Sequence, residues 1–174
     1  MQNVFIEQLK RAAKNGDIEA QVNLGCLHLN GLGVKRNYNE AVRLFRLAAQ
    51  KGQPVGQYNL AYCYQKGYGV RQDYAEAVKW FRKSAEQGNT GAELQLGEHY
   101  ANGHGIEQDY AEAAQWFLKA AEKGDVDAQF DLAVLYMQGL GVEKNRDEAT
   151  KWLDKASKQN PRRIQERISQ LTFF

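Results

Sequence analysis

The stretch GYGVRQDYAEAVKWF, residues 67–81, places two glycines one residue apart just ahead of a helical pattern. Two readings compete for it: a Gly-rich turn that offers its amides to a phosphate, or a corner that only redirects the chain. Working outward, the same loop recurs as GLGVKRNYNEA from Gly31, GHGIEQDYAEA from Gly103 and GLGVEKNRDEA from Gly139, each 36 residues from its neighbour. A phosphate loop leads from a strand into a helix and needs a third glycine or a Gly-Lys-Ser/Thr ending; these four join helix to helix and have neither. The loop is a corner, its glycines supplying positive φ, and the chain is an array.

At the 36-residue period the sequence divides into four whole units, 17–52, 53–88, 89–124 and 125–160, preceded by a half unit, 5–16, and followed by a tail, 161–174. Each unit carries two helical stripes. In helix A, Ala20 and Leu24 recur as Gly56 and Leu60, Ala92 and Leu96, and Ala128 and Leu132. In helix B, Ala41, Leu44, Phe45 and Ala48 recur as Ala77, Trp80, Phe81 and Ser84, then Ala113, Trp116, Phe117 and Ala120, then Ala149, Trp152, Leu153 and Ala156. Asn37, Asp73, Asp109 and Asn145, each followed three residues later by glutamate, have capping-box spacing for the start of helix B. Gly16, Gly52, Gly88, Gly124 and Asn160 suit its end. A lone pair of such helices cannot cover its own apolar face, whereas stacked units bury one core, so residues 1–174 are expected to form a single domain. Gly25, Ala61, Gly97 and Ala133 are expected to make room on helix A for the Trp and Tyr rings nearby.

Composition narrows the function classes. The 174 residues are 43% apolar and 25% charged with a formal charge of +2, which gives no reason to expect nucleic acid or an acidic membrane as partner. No run of 18 apolar residues occurs, and the N-terminus lacks the pattern of a secretory signal, so a cytoplasmic location is expected. Cys26 and Cys63 are too few for a disulfide framework and do not form a C-x-x-C pair, which fits a reducing compartment.

The pattern A-x-x-x-[LG]-[GA]-x-x-Y-x-x-G-x-G-V-x-x-D-Y-x-E-A-x-x-W-F-x-x-A-A-x-x-G, seen best in GAELQLGEHYANGHGIEQDYAEAAQWFLKAAEKG at 91–124, resembles the Sel1-like repeat (SLR), a longer-looped relative of the tetratricopeptide repeat. The resemblance covers residues 5–160 and points to a bacterial source. It implies an all-α fold, a right-handed α-α superhelix whose helix A side chains line a concave face. It also implies a protein-binding adaptor with no cofactor. Some secreted bacterial members carry a disulfide in each repeat; the paired cysteines are missing here, which argues against that subgroup and against export.

A binding scaffold shows its function where the repeats disagree. Carrying the concave positions of the related repeats onto this chain, the column Cys26, Tyr62, Glu98 and Val134 varies in size, polarity and charge, as a packing column would not. Tyr62, Lys66, Glu98, Asn102, Val134 and Met137 are therefore the expected partner-binding positions, with Tyr58 and Phe130 as apolar anchors. Val22, Tyr58, Leu94 and Phe130 are apolar in all four units, so packing between repeats explains that column as well as contact with a partner does. The implied ligand is an extended peptide or a helix.

At the ends, residues 5–16 keep Phe5, Leu9, Ala12 and Ala13 in phase with helix B, and the tail spaces Ile164, Ile168 and Leu171 as a capping helix. Phe173 and Phe174 either fold back or reach a partner. The basic run Lys151, Lys155, Lys158, Arg162, Arg163 and Arg167 reads as a solvated face. Catalytic and metal roles find little support: His28 stands in the column of Tyr64, Tyr100 and Tyr136, and neither His99 nor His104 has a partner at H-E-x-x-H spacing. Cys26 reads as a small hydrophobe rather than a reactive thiol. The expectation is a monomeric, non-catalytic scaffold for a protein or peptide. An immunity protein that neutralises one bacterial toxin or effector is the alternative, and a hydrolase is the third class weighed.

Overall fold

The structure is a computed structural model and describes residues 2–171, with side chains from 4 to 170. The described residues form ten helices and no strand: α1 Gln2–Lys14, α2 Ile18–Asn30, α3 Tyr38–Gln50, α4 Pro54–Lys66, α5 Tyr74–Ala85, α6 Thr90–Asn102, α7 Tyr110–Glu122, α8 Val126–Gln138, α9 Arg146–Gln159 and α10 Pro161–Leu171. α1 is the half unit, α2 to α9 alternate as helices A and B, and α10 is the tail. They fall into two compact units that divide after Asn89.

In the first unit each helix from α1 to α5 packs on its chain neighbour. Leu24 and Leu44 bury with Ala13 and Ala20 where α1, α2 and α3 meet. Phe45, Leu60 and Cys63 bury with Ala41, Val42 and Ala49 between α3 and α4. In the second unit the same succession runs from α6 to α10, with Phe130, Ala156 and Ile164 buried at its end.

Helix A ends at the first loop glycine. Gly31, Gly67 and Gly139 take φ of 72 to 76°, and their N–H groups donate to the carbonyls of Leu27, Cys63 and Leu135. The second glycine does something the spacing did not predict. A Cβ on Gly69 would overlap the Tyr38 carbonyl, and one on Gly141 would overlap the backbone of Tyr110, so each corner lies against the start of the previous unit's helix B.

Helix B starts as expected, with one difference. The side chains of Asn37 and Asp73 accept from the N–H groups of Glu40 and Glu76, and Asp109 and Asn145 do the same for Glu112 and Glu148. The reciprocal half of a capping box is replaced. The N–H of each cap instead donates at 2.9 or 3.0 Å to helix A of its own unit, at the carbonyls of His28, Tyr64, Tyr100 and Tyr136. The glutamates are thereby free to bind Arg43, Lys79 and Lys151.

The small residues on helix A make room for phenylalanine rather than for Trp or Tyr. A Cβ on Gly25 or Gly97 would come to 2.6 Å from the ring of Phe45 or Phe117. The Trp rings lie under lysine ammonium groups instead: Lys119 over Trp116 at 3.8 Å, Lys155 over Trp152 at 4.0 Å and Lys83 over Trp80 at 4.4 Å.

A polar column recurs along helix A. Gln21, Gln57 and Gln129, all buried on helix A, donate to the carbonyls of Ala13, Ala49 and Ala121 in the helix B before them. Gln87 and Gln159 in turn donate to Gln57 and Gln129. The third repeat puts a charge there: Glu93, buried, accepts from Lys123 at 2.7 Å.

Candidate functional site

In the second unit, α6 and α8 bring helix A side chains from two successive repeats together, and α10 closes one side. A hollow of about 380 Å³ is walled by Glu98, Asn102, Tyr110, Asp131, Val134 and Arg167, among others. α10 is held there by two arginines. Arg163 donates to both carboxylate oxygens of Asp127, and Arg167 reaches Asp127 at 3.3 Å and Asp131 at 2.5 Å. The Arg167 guanidinium also lies 4.2 Å above the Phe130 ring.

Glu98 has a different environment. Its carboxylate accepts from Gln95 at 2.8 Å, while its own carbonyl takes the Asn102 amide. Burial, reinforced by the neighbouring Asp131, pushes the Glu98 carboxyl up to about 7. Burial also raises Asp131, to about 6, against the opposing pull of Arg167. Two carboxyls thus titrate near neutrality around one guanidinium that is already engaged. A second hollow of about 240 Å³ shares Val134 and Gln138 with the first and is otherwise apolar, lined by Phe130, Ala133, Met137, Leu153 and Ile168. Met137 is 42% exposed at its edge.

In the first unit, α4 carries an aromatic patch. Tyr62 meets Tyr68 edge-on at 6.1 Å, and Tyr68 stacks on Tyr38 at 4.7 Å. The Lys66 ammonium is 5.8 Å from the Tyr62 centroid, and Tyr58 is tilted against Phe81 at 5.7 Å.

The Sel1 repeat family model matches residues 18–53, 54–89, 90–125 and 126–161, one residue out of step with the units counted from the corners. The chain belongs to the Sel1 repeat family. Its fold is the all-α helical-repeat solenoid of that family. A protective antigen of uropathogenic Escherichia coli strains, displaying an SLR fold, is 40% identical with a TM-score of 0.86 over 88% of this chain and 33% of its own. A Sel1 repeat protein from Oxalobacter formigenes is 33% identical with a TM-score of 0.83 over 89% of this chain and 64% of its own. This chain therefore spans about a third of the first relative and just under two thirds of the second. An immunity protein from Pseudomonas aeruginosa, 22% identical with a TM-score of 0.61 over 94% of this chain and 60% of its own, shares the fold. No curated protein matches the sequence.

Within these Sel1 repeats, five of the eight expected positions come together: Glu98, Asn102 and Val134 line the polar hollow, and Phe130, Val134 and Met137 line the apolar one. Phe130 is only 3% exposed, because α10 covers it; it forms the floor of the hollow rather than a free anchor. Tyr58, Tyr62 and Lys66 form their own patch in the first unit. Spacing alone missed Asp131 and Arg167. Arg163 and Arg167, expected on a solvated basic face, are paired with the aspartates 36 residues before them, so extending the repeat register into the tail would have found both pairs. Phe173 and Phe174 lie outside the described residues.

His99 is buried, its Nδ1–H donates to the His104 carbonyl at 2.6 Å, and burial lowers its pKa. Burial raises the Cys26 thiol and pushes Cys63 up to about 12, so neither is poised as a nucleophile. Among the described residues no group of three or more His, Cys, Asp or Glu has metal-binding geometry, and no helix is long and apolar enough to cross a membrane.

Proposed function

We propose that this Sel1 repeat protein is a non-catalytic scaffold that holds a protein or peptide on its helix A surfaces, and that the segment seated on α6 and α8 presents a cationic side chain beside a large apolar one. The observation that carries this reading is the charge count around the paired hollows. Asp127 and Asp131 form ion pairs with Arg163 and Arg167, whereas Glu98 is hydrogen-bonded to the neutral Gln95 amide and feels Arg167 only as a more distant charge. A lysine or arginine entering beside Glu98 would supply the missing counter-charge, and the adjoining apolar hollow would take the next large side chain. The Tyr38, Tyr62 and Tyr68 patch with Lys66 adds a second, aromatic contact surface in the first unit.

Selection from a displayed library of random dodecapeptides against the intact chain tests this. Enriched peptides should pair Lys or Arg with a large apolar residue, lose most of their binding to Glu98→Gln or Met137→Ala, and bind more tightly as pH rises through about 7. Enrichment indifferent to both substitutions, or of acidic peptides, would remove the hollows from the binding surface.

A further inference from the structure

We propose that a hollow between α1 and α3 binds a small, flat aromatic acid of indole size, with the ring inward and the carboxylate at a cationic rim. Helix B carries a tryptophan at the same column in three repeats, Trp80, Trp116 and Trp152, and the first repeat has Leu44 there. Each of those rings lies under a lysine of its own helix, Lys83, Lys119 or Lys155. At that position too the first repeat has a leucine, Leu47.

Trp80 shows what such a ring occupies. It is half-buried, packs against the cluster that includes Ala49 and Leu60, and its Nε1–H donates to Glu76 at 3.0 Å. Counting back 36 residues from Ala49, Leu60, Glu76 and Lys83 gives Ala13, Leu24, Glu40 and Leu47. All four line a hollow of about 750 Å³ in the first repeat, walled by α1 and α3 and floored by α2. Leu44 is 1% exposed, sealed against Ala13, Ala20 and Leu24, and is too short to fill the space that an indole takes. The second repeat, which has a whole repeat before it, fills the corresponding gap with its own tryptophan and not with a neighbouring helix. At this volume the hollow falls within the range of small-molecule sites, roughly 300 to 1,000 Å³.

The rim sets the charge of the occupant. Lys10, Lys14, His28 and Arg43 stand around the hollow against the single carboxylate of Glu40. Arg43 takes up that carboxylate at 2.6 and 2.9 Å, and Lys10 is paired with Glu7 at 2.8 Å. Lys14 has no ion pair among the described residues. An adjoining hollow of about 360 Å³ shares Lys10, His28 and Asn37 with the first and adds Lys35 and Arg36, which also lack an ion pair among the described residues. Unmatched cations beside a floor of Leu24, Leu44 and Leu47 suit a ring that carries a carboxylate, since the ring removes apolar surface from water while the acid supplies the counter-charge.

A two-dimensional amide NMR titration of the intact chain tests the proposal, with indolepropionate as the probe and tryptamine as the same ring bearing the opposite charge. The expected result is a set of shifts that saturates and clusters around Lys14, Leu24 and Leu47, with tryptamine bound at least about tenfold more weakly. Leu44→Trp places the ring of the other repeats in the hollow and should abolish the shifts; circular dichroism checks that this variant folds. Lys14→Glu, at an exposed side chain, should weaken binding about threefold or more, and it carries the test if Leu44→Trp does not fold. Shifts that fail to saturate up to the solubility of the probe, that map outside α1 to α3, or that survive Leu44→Trp in a folded chain would overturn the proposal. So would equal affinity for tryptamine, or an affinity that Lys14→Glu leaves unchanged.

Discussion

Glu93 shows what one residue can decide. It stands in a column that is otherwise Gln21, Gln57 and Gln129, and its buried carboxylate is answered by Lys123, 30 residues on, where the second and fourth repeats use Gln87 and Gln159. Lys123→Gln removes the counter-charge and leaves a sealed carboxylate. Breaking a buried pair costs roughly 3 to 5 kcal/mol, and about 1 to 3 is expected here because the Lys123 side chain is 40% exposed. Adding Glu93→Gln recreates the neutral pair of the neighbouring repeats, so urea denaturation should show the double variant recovering most of the loss. If the two losses simply add, the residues are not a pair. This exchange of type between columns could be read in the sequence, since it lies in positions that repeat. The ring beside Gly25 and Gly97 could not: spacing shows that a small residue is needed, but which aromatic fills the gap depends on how the two helices cross.

At the level of elements, the caps of helix B were legible because they are local, a side chain and an amide three residues apart. The seating of α10 was not, because its amphipathic stripe says only that it packs and not on what. Its docking on α8 converts Phe130 from a surface position into a floor and draws Asp131 and Glu98 into partial burial. A carboxyl whose pKa is raised in the folded state binds its proton more tightly there than in the unfolded chain. Stability from Glu98 and Asp131 is therefore full below their ordinary pKa values near 4 and is lost as pH rises through about 6 and 7. The groups facing them are Gln95, Asp127 and Arg167. Chemical denaturation between pH 4 and 8 should show this decline, and Glu98→Gln should flatten it. A variant with an unchanged slope would place the titration elsewhere.

At the scale of the molecule, each unit is a sum of like helix-on-helix interfaces, and stability should vary along it accordingly. α1 packs on α2 and α10 on α9, whereas α3 and α8 are each held from both sides. Amide hydrogen exchange at low protein concentration should run about tenfold or more faster in α1 and α10 than in α3 and α8, since a factor of ten needs only about 1.4 kcal/mol of local opening. Uniform protection across all four would mean that the ends are covered in solution. The pairing of Arg163 and Arg167 with aspartates 36 residues earlier has a consequence for how such genes can grow. Recombination that adds or removes 36 codons returns every corner glycine, every helix cap and the final helix to an equivalent surface. Any other step throws all three out of phase at once, so array length in this lineage can change only in whole quanta.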